Sequence, residues 1–527
     1  METIKKLMFV ASFFLGLGFL ISCDQGFEEL NTNPNALSEP VIENMFSYSI
    51  ARATFSGGDV VVETLWCGAM MQYYTGLDNV EWTGDKYIED ITEHNARVWN
   101  QAYPTYIKNI QEVIQRVEGE PELTNLYAIA RIWRVFVFHR MTDIYGDIPY
   151  SQANKGFYEN KYKPEYDTQS AIYADMLNEL DEAAQLLDPA KETFGSGDFI
   201  YNGDTAKWKR FANSMMLRLG MRLTKVDLAA AEEYVRKAIS GGVMQSYGDI
   251  ALLEHTDDAS INHNGISNFW WVKEMAPSQE GTSRSKITKT FIDELKNNND
   301  PRLPLYSTLW EGNADPSLLP QSSALEVQKG LPTGYDYSTI QEVIPGFGTE
   351  ELKEFSELNL HRIAHRAAPT IFQSYAEVEF LLSEASLRGW SNTDAAIHYA
   401  NGVTASMEMA TLYPGDMSIS ETAINDYLTE NPFPTGEGVE AQMERIHTEM
   451  WINLFNRSAI EAYSNWRRTG YPQLTPTNYN RNITGGTIPR RLIYPESEKI
   501  QNTEAYNAAI QRQGPDLYTT RVWWDAE

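Results

Sequence analysis

Apolar side chains recur at spacings of three and four along much of this 527-residue chain, a period that amphipathic helices satisfy and strands do not. Behind a capping candidate at Asp167, residues Ile172, Met176, Leu180, Ala183 and Leu187 share one face until Asp188-Pro189 stops the helix. Asp204 opens the next, with Trp208, Phe211, Met215 and Leu219 in register, and a third covers residues 228–239 before the break at Gly241-Gly242. The same period predicts helices over residues 97–117, 123–141, 374–387, 393–407 and 443–466. Helices of similar length joined in pairs by short breaks predict a mostly α fold: a tetratricopeptide-like helix-pair solenoid whose repeats have degenerated, since no clean self-similarity survives. Residues 242–369 and 471–513 differ. They are rich in Gly, Pro, Asn, Ser and aromatics and sustain no period, apart from residues 286–295. Irregular connections of that length inside a compact body are uncommon and tend to carry function. The expected organisation is a single domain over residues 41–527, with about 242–369 as a loop-rich excursion from the helical scaffold.

The first residues set the compartment. Lys5 and Lys6 precede an apolar and small stretch over residues 7–21, about 22 Å as a helix and short of the ~30 Å hydrocarbon core. A basic start before a short apolar run is the pattern of a secretory signal, not of a membrane span. It ends in Leu20-Ile21-Ser22-Cys23, which resembles the lipobox of bacterial lipoproteins, where cleavage precedes a cysteine whose thiol takes a diacylglycerol. Residues 1–22 are thus expected to be a lipoprotein signal peptide and Cys23 the acylated membrane anchor. Residues 23–40 then form a polar, turn-rich tether containing Asn31-Thr-Asn-Pro-Asn35. The acidic patch of Asp24, Glu28 and Glu29 behind the anchor resembles the surface-export signal of Bacteroidetes lipoproteins. Besides Cys23 the chain has one cysteine, Cys67, so acylation leaves no intrachain disulfide and the exported body must be held by its core. Cys67, between Trp66 and Gly68, reads as a small buried hydrophobe. A net charge of −29 opposes binding to nucleic acid, which needs a clustered basic surface.

The usual catalytic signatures, His-Glu-x-x-His, Gly-x-Ser-x-Gly, Gly-x-x-x-x-Gly-Lys and Cys-x-x-Cys, do not occur. His361 and His365 would share one face of a helix as metal ligands. With Pro369 close behind and Arg362 and Arg366 beside them, they read instead as polar loop or helix-end histidines. Asp257-Asp258 and Asn297-Asn-Asn-Asp300 lack the spacing of a calcium loop and read as solvated turns. No metal, no cofactor and no enzymatic activity are expected. Glycoside hydrolysis needs just two carboxylates at the right separation, and 72 acidic residues leave a surface glycoside hydrolase or peptidase open as an alternative.

A sugar site combines aromatic platforms, on which the C–H face of a pyranose stacks, with a few amide and charged groups for its hydroxyls. Two segments have that make-up. One is Gln72-Tyr73-Tyr74, followed after a turn by Glu81-Trp82; the other is Asn262-His263-Asn264 with Asn268-Phe269-Trp270-Trp271. The candidate ligand contacts are therefore Gln72, Tyr73, Tyr74, Trp82, Asn264, Asn268, Trp270 and Trp271, with Trp310 a weaker third platform. In each adjacent pair, Tyr73-Tyr74 and Trp270-Trp271, the simplest partition sends one ring into the core and the other outward.

Several segments together resemble a known family. The 141–150 stretch Met-Thr-Asp-Ile-Tyr-Gly-Asp-Ile-Pro-Tyr is similar to the Asp-x-Tyr-Gly-x-x-Pro segment of the SusD/RagB nutrient-binding lipoproteins of Bacteroidetes. So are Tyr201-Asn-Gly-Asp-Thr-Ala-Lys-Trp208, leading into Leu217-Arg218, and the helix from Tyr375 to Ala385, with Ser383 where alanine is usual. Trp466-Arg-Arg-Thr-Gly-Tyr-Pro472 and Ile488-Pro-Arg-Arg-Leu-Ile-Tyr-Pro495 complete an ordered set that spans nearly the whole mature chain. The resemblance implies a helical fold on tetratricopeptide-like pairs and no catalytic residues. It also implies a place at the outer membrane, facing the exterior, as the lid of a SusC-like TonB-dependent transporter, capturing oligosaccharide or in some cases peptide. Both aromatic segments lie where such proteins tend to place ligand contacts. A structural lid with no ligand site of its own is a further alternative. The shared motifs themselves have structural readings: a turn over residues 145–149, and Glu377, Glu379 and Glu384 as partners for arginines such as Arg467, Arg468, Arg490 and Arg491.

Overall fold

The computed structural model describes residues 41–527 except 56, 78–82, 91–92, 259–261, 272–284, 311–320 and 416. The expected signal peptide, Cys23, the tether and Trp82 lie outside the described residues.

The chain is mostly helical. Helices α1 (Ile42–Phe55), α2 (Lys108–Val117), α3 (Thr124–Tyr145), α4 (Gln169–Leu186), α5 (Thr205–Arg222) and α6 (Leu228–Gly241) each pack on the next. Helix α5 also touches α7 (Tyr375–Leu387), which packs on α8 (Ala395–Glu408); α9 (Glu421–Glu430) lies against α8. Helix α10 (Val439–Leu454) lies on α7, and α11 (Ala459–Thr469) returns to α3, closing the body. Side chains at the entry of α4 to α9 take up main-chain N–H groups that no helical carbonyl reaches: Thr168, Asp204, Asp227, Ser374, Asp394 and Ser420. Each such cap stabilises its helix by about 1 kcal/mol. Asp167, the sequence candidate for α4, instead accepts the N–H groups of Tyr150 and Ser151. No helix among the described residues is long and apolar enough to cross a membrane.

Three expectations about elements need correction. The helix over 97–117 is interrupted by a π-helical turn, Tyr103–Ile107, at Pro104, which has no N–H to give to the regular ladder. The helix over 443–466 is two helices, because Phe455 is extended (ψ 125°) and Asn456 is left-handed (φ 53°). Part of the 471–513 stretch is helical: Glu496–Gln501 and α12 (Thr503–Gln513). Among the residues of α12, Ala509 alone is fully buried, a face too narrow to register as a period.

The excursion is tied by short strands. β1 (Tyr74–Gly76) pairs antiparallel with β3 (Ser285–Ile287), and β2 (Ala251–Leu253) with β7 (Thr370–Gln373). β4 (Ser307–Trp310) lies between β5 (Gln321–Ser322) and β6 (Glu357–Leu358). One large apolar cluster runs from Phe46 to Trp524, and a small second one holds Leu77, Leu331, Ile340, Phe347, Leu352 and Phe355 within the excursion and its anchor.

The family-type motifs do structural work, although of the four arginines expected as partners only Arg468 pairs with one of the three glutamates among the described residues. Gly146 sits at φ +86°, and a Cβ there would meet the Gln513 side-chain oxygen at 1.8 Å; that oxygen accepts the Asp147 N–H, so the turn docks α12. Glu384 takes both terminal nitrogens of Arg468 at 2.7 and 2.6 Å, one of the expected pairings. Glu377 pairs with Arg218 and Glu379 with His398, while Arg490 and Arg491 hold Asp525 and Asp516. Arg467 lies over the rings of Tyr463 and Trp524.

Candidate functional site

The ladder between β1 and β3 holds the Tyr73-Tyr74 segment against the excursion. Gly76 stands opposite Ser285 in that ladder, and the ring of Tyr74 meets that of Trp270 at 4.7 Å, which is the contact that joins the two segments. Beneath them, at the break between α10 and α11, the left-handed backbone of Asn456 aims one carboxamide at three segments. Its Oδ1 accepts the Tyr74 hydroxyl and the Trp270 Nε1–H, both at 2.9 Å, and its Nδ2 donates to the Ile363 carbonyl at 3.2 Å. Asparagine tolerates that backbone because its short polar side chain compensates the steric cost.

Most of the candidate contacts face this interior. Tyr73 is fully buried against Phe291, Trp451 and Phe455 and donates its hydroxyl to the Trp451 carbonyl at 2.6 Å. Tyr74 and Trp270 pack ring to ring at 4.7 Å, also buried. Gln72 donates to the Thr475 carbonyl and accepts from Thr290. Asn264 caps the short helix Gly265–Phe269 and donates to the Ala368 carbonyl. These five side chains lie beneath the surface: burial and hydrogen bonds within the chain leave them no face for a solute. The expected split of Tyr73-Tyr74 into one inward and one outward ring does not occur, because β1 has aromatic rings on both sides.

Trp270-Trp271 does split. Trp271 is half-buried and donates Nε1–H to the Ala364 carbonyl at 3.1 Å. The Arg366 guanidinium lies 4.9 Å above the Trp271 ring centre, and its Nε donates to Asn268 Oδ1 at 3.2 Å. His361 stands edge-on to the same indole at 6.5 Å. An indole, a guanidinium, a carboxamide and an imidazole, all half-buried, thus make a ledge at the surface. A cation held over an indole is attracted to its π face, and here the contact also fixes the fork of Arg366 beside the ring. Burial pushes the neighbouring His365 ring below its ordinary value; Asp257 opposes the shift, while His361 and Arg366 add to it. The chemistry available is stacking plus directional hydrogen bonding to neutral polar groups. Trp82 and the side chain of Trp310 lie outside what the structure describes.

His361 and His365 lie in turns and not on a helix; Nδ1 of His365 accepts the Ala367 N–H. Among the described residues, one group has metal-like spacing: His139, Asp143 and Glu461, within 4.8 Å of one another. Arg222 pairs with both of these carboxylates and Arg218 lies 3.6 Å from Glu461, so the cation that this cluster holds is already an arginine. Sequence reasoning missed Asn456 and the role of Arg366. Both reach partners about 90 or more residues away, and no local period reports such contacts.

A family model described as "Starch-binding associating with outer membrane" matches residues 29–495. Among solved structures, a chitin-binding protein is 32% identical with a TM-score of 0.78, over 92% of this chain and 100% of that one. A Bacteroidetes SusD-like structure is 27% identical with a TM-score of 0.81, over 93% of this chain and 100% of that one. A chitin-binding SusD homologue from Flavobacterium johnsoniae is 25% identical with a TM-score of 0.75, over 92% and 99%. No curated protein matches.

Proposed function

The chain belongs to the SusD-like family, and from that membership we propose that it is a lipid-anchored binding protein of the outer-membrane surface, held by Cys23, that captures an oligosaccharide and passes it unchanged to a SusC-like TonB-dependent transporter. Relatives named for chitin binding and a family described by starch binding support a carbohydrate ligand. The observation that carries the reading for this chain is the ledge of Trp271, Asn268 and Arg366. An indole with a fixed guanidinium over one face and a carboxamide nearby supplies the ring and the hydrogen-bonding groups that a pyranose uses, its C–H face stacking while its hydroxyls accept and donate. It suits a peptide less, since among the described residues no strand edge or charged cradle accompanies it at the ledge. The four side chains that meet there include no carboxylate pair of the kind glycoside hydrolysis uses. Affinity is modest on this reading, because a tightly held sugar would not move on to the transporter.

Calorimetry on the chain without residues 1–22 and with Cys23→Ser, using chitopentaose and maltoheptaose as probes, tests the capture step. Binding of either probe, weakened about tenfold (~1.4 kcal/mol) by Trp271→Ala and less by Arg366→Ala, is the expected result. No heat from either probe would leave a structural lid, and release of shorter sugars on incubation would make the protein a hydrolase. For the anchor, Cys23→Ala should move the protein from the outer-membrane fraction to the soluble one.

A further inference from the structure

Near the end of the chain the pattern of Trp270-Trp271 is repeated by Trp523-Trp524. Trp524 is fully buried, donates Nε1–H to Asp143 at 3.1 Å and lies under the guanidinium of Arg467. Trp523 turns the other way and is 37% exposed, with its ring 6.2 Å from that of Tyr173 on α4. It borders a cavity of about 230 Å³ whose wall also includes Thr168, Ser170, Arg512, Gln513 and Arg521. Arg512 is shared with a second cavity of about 550 Å³, between residues 163–166 and the start of α12, lined by Lys163, Glu165, Tyr166 and Asn502 among others. None of these residues belongs to the Trp271 ledge.

The composition of this groove selects its ligand. An exposed indole is a poor surface for water and a good one for the C–H face of a sugar. Around it stand hydroxyls and guanidinium groups able to meet sugar hydroxyls. The charges are internally balanced: Arg512 lies 3.0 Å from Asp147, and Arg521 lies 3.1 Å from Asp525. Arg512 and Arg521 each already lie beside a carboxylate, and in the larger cavity Glu165 and Glu504 outnumber Lys163, so the groove has no surplus positive charge for a uronate or a sulfate. We infer that the groove along Trp523 and Arg512 is a second saccharide site, in which one ring of a neutral oligosaccharide stacks on Trp523 and the following rings pass Arg512 into the larger cavity. The smaller volume suits a single ring and the larger one suits several. Two sites on one chain would hold a long glycan at separate points and raise the local concentration of its ends at the ledge.

The inference rests on the carbohydrate reading, so the test separates the two. The protein is labelled with 5-fluorotryptophan, and the signals of Trp523 and Trp271 are identified by their loss in Trp523→Phe and Trp271→Phe. Chitopentaose and maltoheptaose are then titrated in turn. Saturable movement of the Trp523 signal in the wild type and in Trp271→Ala is the expected result, with a calorimetric stoichiometry of two falling to one in Trp523→Ala. Trp523→Phe, which keeps a flat ring, should retain the second binding event, and an unchanged melting temperature for Trp523→Ala excludes loss by unfolding. Movement of the Trp271 signal alone, at saturation, overturns the second site and leaves the ledge standing. Movement of neither signal overturns the carbohydrate reading along with it.

Discussion

Replacing Asn456 tests how the ledge is built. In Asn456→Ala the buried hydroxyl of Tyr74 and the buried indole N–H of Trp270 lose their shared acceptor. Each lost bond costs about 1–2 kcal/mol, since Asn456 itself is half-buried and water can partly replace its carboxamide. Alanine at φ 53° adds ~1 kcal/mol of backbone strain that asparagine tolerates. The sum is about 3–5 kcal/mol, a large part of the ~5–15 kcal/mol by which folded domains are stable. Asn456→Gly loses the same bonds without the strain and should fall about 1 kcal/mol short of the alanine variant. The Nδ2 bond to Ile363 also holds the turn that carries Ala364 and Arg366, so both variants should bind chitopentaose or maltoheptaose more weakly than wild type even where fully folded. Equilibrium unfolding in guanidinium chloride reads the first effect and calorimetry in buffer the second. An alanine variant within 1 kcal/mol of wild type, with undiminished binding, would refute the claim that this carboxamide joins the three segments. A glycine variant less stable than the alanine one would refute the strain component.

Three further perturbations follow from buried charge and burial. Glu384→Gln leaves the Arg468 guanidinium buried beside a neutral amide and should cost about 3–5 kcal/mol in the same unfolding assay, with Arg468→Met added on top costing little more. His255 is pushed down to about 4, first by burial and then by the nearby charge of His263. A ring that resists protonation only when folded contributes stability in full above pH ~6.5, and that contribution falls away as the pH drops towards 4. Over that window wild type should lose about 3 kcal/mol more than His255→Gln, read from unfolding curves at each pH. Burial pushes the Cys67 thiol up, with the charge of Glu63 adding, so the native protein should not react with iodoacetamide at pH 8 and should react fully once unfolded.

Helix positions, and the capping residue Asp204, were legible in the chain because each is encoded within a turn or two of itself: a 3.6-residue period and a polar side chain that reaches the next N–H groups. The turn at Gly146 and the burial of Cys67 were legible for the same local reason. Periodicity failed where the local signal was weak or cut, as in α12 with its narrow apolar face and at the left-handed Asn456. What the chain alone could not decide was direction. Whether Tyr74 faces solvent depends on Trp270 and Asn456 arriving from elsewhere, and whether Glu377 meets Arg218 or another arginine depends on how α5 crosses α7. Aromatic content marked two segments that pack on each other, but burial is a property of the space between elements, and that space exists only once distant segments have packed.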